Sequence, residues 1–228
     1  GIIIPIQPFF AQSLGASAPT VTLLGASYSL MQFLFAAFWG RLSDRIGRRP
    51  VMRSSIAFAG IGYLIFGFAE SLLLLFLARM LSGFGSANIG AAQAIIADTT
   101  DATSRAKGMG IIGAAFGLGF IFGPALGGFL SQFSLSTPAY VAAALCFINC
   151  ILAYALLPET NLNRGKVQRS LHGGFNWSAF KHMCRHQNVL RLFLLFLIFG
   201  TAFSMMEQTF GLFIEFTYST IYSDRTEG

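Results

Sequence analysis

The sequence predicts an all-α protein that crosses a membrane several times, and three observations lead to that prediction. The 228-residue chain is 54% hydrophobic and 11% charged, with a mean hydropathy of +0.65, whereas a soluble domain has about 25% charged residues. Apolar runs of the roughly 20 residues needed to cross a bilayer recur along it. Its basic residues cluster in alternate connections between those runs.

The apolar runs predict six membrane-spanning helices, near residues 21–40, 51–69, 72–97, 107–130, 138–157 and 189–212. A further segment, Gly1–Ala11, is too short to span, and we expect it to complete a helix that begins upstream. Residues 1–157 are predicted to form an N-terminal transmembrane bundle with a truncated first helix, and residues 189–228 a seventh helix with the start of an outer loop.

Residues 158–188 are predicted to link the two membrane regions through an amphipathic helix at the membrane interface, because 176–186 mixes aromatic and basic side chains. His182 and His186 lie one helical turn apart on either side of Cys184. No further ligand is near in sequence, so a basic interfacial helix explains these residues better than a metal site. We therefore predict no metal.

The placement of charge predicts the orientation of the chain. Of 15 lysines and arginines, 13 lie within 41–53, 105–107 and 164–191, while the short connections between these regions have none. This is the positive-inside pattern, and it places the Gly40–Pro50 segment and the 158–188 linker in the cytoplasm of a multi-pass plasma (inner) membrane protein. The net charge of +6 then reflects topology and the lipid bilayer, not a nucleic-acid partner.

The Gly40–Pro50 segment places one acid and four arginines between two spans, which predicts a short water-facing loop. We expect Gly40 and Gly47 to tighten the turn and let the helices approach. Asp44 is expected near a helix N-terminus, where negative charge is stabilising. The arginines are expected to pair with Asp44 or with anionic lipid.

The same segment matches the pattern G-x-L-[SA]-D-R-x-G-R-R at every specified position, and so resembles the signature between the second and third helices of the major facilitator superfamily. Arg79–Gly85 is similar to the fourth-helix pattern of that family, and Gly113–Gly128 to its fifth-helix G-P-x-x-G-G antiporter pattern. Ile96–Thr100, followed by Arg105, resembles the stretch that joins those helices in tetracycline/proton antiporters. The resemblance is thus to the drug/proton antiporter branch.

This resemblance implies the six-helix N-terminal bundle of a twelve-helix transporter, plus the first helix of its second bundle, a piece that does not transport alone. The implied function is proton-coupled efflux of drugs or other amphiphilic small molecules by alternating access, without enzymatic activity or a cofactor. No phosphate-binding loop of the G-K-[ST] kind supports ATP-driven transport. The alternatives are a metabolite symporter or facilitator, and a non-transporting seven-helix receptor or scaffold.

In related transporters, acids and arginines at the positions of Asp44, Arg48 and Asp98 form a charge cluster that stabilises one access state. The residues assigned to this conformational switch are Gly40, Asp44, Arg45, Gly47, Arg48, Arg49 and Asp98.

Three polar residues inside predicted spans are candidates for proton or substrate coupling: Gln32, Arg79 and Glu207. A charge at mid-depth costs about 2.5 kcal/mol or more, so Arg79 is expected to face a cavity or a partner. The alternative is a structural ion pair, or a side chain that reaches the membrane surface from near the edge of the span. Glu207 is either a proton carrier or a buried hydrogen-bonding group. Gln32 either contacts substrate or bonds to a neighbouring helix.

The fifth span is predicted to pack closely against a neighbour, because glycines recur in it every four residues. Its proline is expected to bend it, and simple helix dimerisation is the alternative. The residues of this predicted antiporter helix are Gly113, Gly117, Gly119, Gly123, Pro124, Gly127 and Gly128. Tetracycline exporters carry an aspartate just before a tyrosine in the third helix, where this chain has Gly62 and Tyr63, so tetracycline is not implied as the substrate.

Overall fold

The computed structural model describes residues 1–101, 103–161, 187 and 189–206, which form helices and short connections with no strand among them. The chain divides into two compact units, Gly1–Gln168 and Arg169–Gly228. The described helices of the first unit are α1 (Gln7–Ser13), α2 (Ala18–Ile46), α3 (Arg48–Gly67), α4 (Leu72–Ser86), α5 (Ile89–Thr99), α6 (Arg105–Ser131) and α7 (Thr137–Leu156). In the second unit, the described residues form a helix over Val189–Met206, named α8.

Within the described residues, six helical segments are long and apolar enough to cross a membrane: α2, α3, α4 and α5 taken together, α6, α7 and α8. This confirms the prediction of an all-α protein with several spans. The helix α2 has 29 residues and is therefore about 43 Å long. Because the hydrocarbon core is about 30 Å thick, one end of α2 can extend into water without leaving the helical conformation.

The prediction of a loop at Gly40–Pro50 is wrong. The helix α2 continues to Ile46 and α3 begins at Arg48, which leaves Gly47 alone between them. Gly47 has a φ of +112°, a left-handed conformation that costs glycine little because it has no Cβ. The charged residues of the segment therefore lie on the water-facing ends of two helices.

Two other predicted boundaries also differ from the structure. The span predicted at 72–97 is interrupted at Ala87 and Asn88, between α4 and α5. The helix predicted over Gly1–Ala11 begins only at Gln7, after a series of turns. Pro8 lies in its first turn, where a proline fits because that backbone N–H has no intrahelical partner.

The helix α3 packs against α4 and α7, and its contact with α4 is made by small residues. A Cβ added at Gly62 would lie 2.8 Å from the Cα of Ser82, and one added at Gly85 would lie 2.8 Å from the Cα of Ala59. Real Cβ atoms do not approach so closely, so these glycines let the two backbones meet. This contact fixes α4 on α3.

Candidate functional site

Arg48, the first residue of α3, joins the ends of three helices. Its side chain is only 12% exposed. Its Nη1 donates to Asp44 Oδ1 at 2.6 Å and to Ser43 Oγ at 2.7 Å, both in the last turn of α2. Its Nε donates to Asp98 Oδ2, near the end of α5, at 3.1 Å. The structure thus brings together the three residues that the sequence assigns to a charge cluster, while their role stays a prediction.

The acid at the N-terminus of α3 is Glu159, not Asp44. Asp44 lies near the C-terminus of α2, the negative end of that helix dipole. The prediction that Asp44 lies near a helix N-terminus is therefore wrong. Glu159 Oε1 accepts from the backbone N–H of Arg48 at 2.8 Å, and its Oε2 accepts from that of Arg49 at 3.2 Å. The carboxylate thereby satisfies two orphan donors of α3 and places negative charge at its positive end.

Gly47 provides the space that this carboxylate occupies. A Cβ added at Gly47 would overlap the carboxyl group of Glu159, because it would lie 2.8 Å from the Cδ atom of Glu159. The positive φ requires glycine here, and an added Cβ would also displace the Glu159 carboxyl group from its position. Among the described residues, no heavy atom lies within 4 Å of a Cβ added at Gly40, so Gly40 does not bring two of the described helices together.

Glu159, Thr160 and Asn161 form a short strap after α7, and each residue contacts a different helix. Thr160 Oγ1 donates to Asp98 Oδ2 at 3.3 Å, on α5. Asn161 Nδ2 donates to the carbonyl of Asp44 at 2.7 Å, which satisfies a terminal acceptor of α2. The sequence predicted these residues only as part of the 158–188 linker, because their partners lie as far as 118 residues away in the chain.

Two further arginines join α3 to α7. Arg49 Nη2 and Arg53 Nη2 donate to the carbonyl oxygen of Tyr154 at 2.7 and 2.8 Å. The Arg53 guanidinium also lies 4.1 Å from the centroid of the Tyr154 ring. Cations are stabilised both by the C-terminal carbonyls of a helix and by an aromatic face. Arg45, by contrast, is exposed.

The two described coupling candidates occupy different surroundings. Arg79 is 6% exposed on α4, and its guanidinium carbon lies 4.8 Å from the ring centroid of Tyr28 and 5.9 Å from that of Phe66. Gln32 Nε2 donates to the carbonyl of Ser86 at 3.2 Å, so it contacts a neighbouring helix. The third candidate, Glu207, lies outside the described residues.

The glycine-rich helix α6 makes its closest described contact with the N-terminal segment. A Cβ at Gly123 would lie 2.6 Å from the Cα of Gly1, and one at Gly127 would overlap the carbonyl of Ile2. A Cβ added at Gly1 would overlap the carbonyl oxygen of Gly119. A Cβ at Gly113, Gly117, Gly119 or Gly128 would meet no described atom within 4 Å, and Pro124 lies inside the helix.

The described residues contain no group of three or more histidine, cysteine or acidic side chains placed to hold a metal. His182, Cys184 and His186 lie outside the part of the chain that the structure describes.

Comparison with known proteins decides the family. The family model described as Major Facilitator Superfamily matches residues 1–223, almost the whole chain. This chain belongs to the major facilitator superfamily. It is 40% identical over 167 residues to the class B tetracycline resistance protein of Escherichia coli, covering 72% of this chain and 42% of that protein. It is 30% identical over 227 residues to multidrug resistance protein 1 of Bacillus subtilis, covering 98% of this chain and 57% of that protein.

A solved structure in the same family shares the fold. The crystal structure of the human organic anion transporter MFSD10 (TETRAN) superposes with a TM-score of 0.58 at 30% identity, covering 74% of this chain and 40% of that chain. The chain spans about half the length of the relatives it matches. These matches confirm the resemblance inferred from the Gly40–Pro50 motif. They also confirm a membrane protein fold corresponding to the N-terminal half of a major facilitator superfamily protein, which is not an enzyme family.

Proposed function

We propose that this chain is part of a secondary transporter that expels drugs or other amphiphilic small molecules in exchange for protons by alternating access. Its sequence similarity to tetracycline and multidrug resistance proteins supports efflux as the direction of transport. The observation that carries the proposal is the cluster at Arg48, which ties the ends of α2, α3 and α5 together on one face of the bundle. By the positive-inside pattern, that face is cytoplasmic.

The cluster is suited to act as a latch because its contacts are individually weak. The side chains of Asp44 and Asp98 are 43% and 30% exposed, respectively. Pairs whose carboxylates remain this accessible to water contribute on the order of 1 kcal/mol each, and the burial of Arg48 adds a desolvation cost that keeps the net contribution small. Together these two pairs favour one access state without making it permanent. A substrate or proton that prefers the other state by a few kcal/mol can release them.

Coupling is assigned to Gln32, Arg79 and Glu207 as part of the same proposal. Arg79 supports it best, because it is a permanent cation held between aromatic rings inside the bundle. A buried charge interacts more strongly with an arriving charge than an exposed one does, because little water screens it. An anionic carboxylate, from a substrate or from the protein, would therefore be attracted towards Arg79.

An anionic amphiphile is the second candidate substrate, favoured by Arg79 and by the name of the human organic anion transporter. Cells that express the intact protein should lose the cation ethidium faster than control cells, and a protonophore should abolish the difference. Faster loss of an anionic dye, with ethidium unaffected, would favour the second candidate. Uptake of a metabolite down a proton gradient, with neither dye expelled, would favour a symporter instead.

The latch is tested by reversing a charge. Asp44→Arg should shift the balance between inward-open and outward-open forms, because it places a second guanidinium against Arg48. Cysteine accessibility measured on both faces of the intact protein reports that balance. Glu70→Arg, at an exposed acid between α3 and α4, is the matched control. Unchanged accessibility in Asp44→Arg would contradict the latch, whatever the dye experiments show.

A further inference from the structure

The fourth span is interrupted, and the interruption is satisfied by side chains of α2. The helix α4 ends at Ser86 and α5 begins at Ile89. A break inside a span leaves backbone carbonyls without their intrahelical donors, which is tolerated in a membrane only where other groups bond to them. Trp39 Nε1 donates to the carbonyl of Phe84 at 2.7 Å, and the same carbonyl accepts from the backbone N–H of Ala87 at 3.4 Å. Gln32 Nε2 donates to the carbonyl of Ser86 at 3.2 Å.

The helix α3 supplies the partner on the other side of the break. Asn88 Nδ2 donates to Ser55 Oγ at 2.7 Å, and that hydroxyl donates to the carbonyl of Met52 at 3.0 Å. The ring of Phe84 packs against the rings of surrounding aromatic residues. These are Phe35 at 4.7 Å, Trp39 at 5.0 Å and Phe58 at 5.2 Å between centroids. The break is therefore a built feature of the fold with its own bonds.

The two helices on either side of the break are held very differently. The helix α4 is fixed on α3 where Gly62 meets Ser82 and Gly85 meets Ala59. All residues of α5 are described, and only Ala91 among them is buried. Segments with few buried contacts move at the lowest cost in free energy. The far end of α5 is held by Asp98 in the charge cluster.

We propose that Ala87 and Asn88 form a hinge, about which α5 moves as a separate segment while α4 stays fixed on α3. Trp39 and Gln32 are its positioning residues, because they donate to carbonyls at the end of α4, and Asn88 ties the break to Ser55 on α3. The proposal rests on the proposed function, since the movement accompanies release of Asp98 from Arg48. At the hinge, Gln32 holds the carbonyl of Ser86, a contact that is separate from the coupling role proposed above.

Spin-label distance measurements on the intact protein test the hinge. One pair of labels joins Ile61 on α3 to Leu77 on α4, and the other joins Ile61 to Gln93 on α5; all three positions are exposed. The native cysteines are first replaced by serine. Asp98→Asn, which weakens the bond from Arg48, should shift the Ile61–Gln93 distances by several ångströms and leave the Ile61–Leu77 distances unchanged. Distances that shift together, or that both stay unchanged, would overturn the hinge.

A second variant tests the bonds at the break. Trp39→Phe keeps an aromatic ring but removes the donor to Phe84, and loss of one hydrogen bond should raise the population of displaced α5 about five-fold. Phe33→Leu, at a 77% exposed position of α2, is the matched control and should change nothing. Equal distributions in the two variants would overturn the role of Trp39. Absent dye efflux together with the expected distance shifts would instead count against the proposed function and leave the hinge standing.

Discussion

Replacing Glu159 by glutamine should destabilise the junction between α2 and α3. The carboxylate accepts two backbone bonds from α3, at 2.8 and 3.2 Å. Bonds to a charged group contribute about 1.5–3 kcal/mol and neutral ones about 0.5–1.5 kcal/mol. Charge at a helix N-terminus adds about 0.3–1 kcal/mol. Glutamine keeps one acceptor oxygen but loses the charge, so the expected cost is about 2 kcal/mol, a factor of about 30 in the folding equilibrium.

Thermal unfolding of the purified intact protein measures this cost. For a domain of this size, 1 kcal/mol corresponds to about 2–4 °C, so Glu159→Gln should lower the melting temperature by about 4–8 °C. Glu70→Gln removes an equivalent charge from an exposed acid between α3 and α4 and should have little effect. Equal melting temperatures for the two variants would refute the reasoning, because they would mean that Glu159 adds nothing at the helix end.

Gly47 allows a sharper version of the same test. Gly47→Ala introduces a Cβ that strains a φ of +112° and also overlaps the Glu159 carboxyl group. In a Glu159→Ala background the overlap is gone and only the backbone strain remains, about 1–3 kcal/mol, because a φ of +112° with a ψ of 157° is essentially restricted to glycine. The two substitutions should therefore be non-additive by about 1 kcal/mol or more. Strictly additive costs would show that glycine is needed at this position for its conformation alone.

Two other predictions concern single positions. Gly62→Ala should destabilise the protein by about 1–3 kcal/mol because its Cβ meets the backbone of Ser82, whereas Gly90→Ala, which enters open space, should be neutral in the same thermal assay. Hydrogen bonds from Ser104 lower the pKa of Asp101 to about 2. A lowered pKa gives stability that is present above the unfolded value and lost only as the pH falls through about 2. Asp101→Asn should thus lower the melting temperature equally at pH 5 and pH 8, and a smaller effect at pH 5 would contradict this assignment.

Hydropathy predicts the number and order of the spans because burial in lipid imposes a strong, local requirement on each segment. The same signal misplaces the ends. Charges at Arg41 and Asp44 suggest that α2 stops near Gly40, yet helical structure costs nothing extra where the chain leaves the hydrocarbon, and α2 continues to Ile46. Hydropathy therefore indicates which residues lie in lipid, but it does not indicate where a helix ends.

Hydropathy does not predict the break after Ser86 either, for a related reason. Residues 72–97 form one apolar run in the sequence. The bonds that stabilise the break come from Trp39 and Gln32 on another helix, so nothing within the run itself marks the break. The same holds for Glu159, whose partner Arg48 is 111 residues away. Long-range partners of this kind leave no periodic pattern in a single sequence.

Arg48, Arg49 and Arg53 bind their partners through two kinds of acceptor, and we expect one kind of contact to persist and the other to be released. Arg49 and Arg53 bind α7 through a backbone carbonyl, an acceptor that no proton or substrate can neutralise. Arg48 binds α5 through the Asp98 carboxylate, a charged acceptor for which another cation can compete. The contact between α3 and α7 should therefore persist in both access states, while α5 separates from α3. The segment that chemistry makes releasable is also the one that the break after Ser86 leaves free to move.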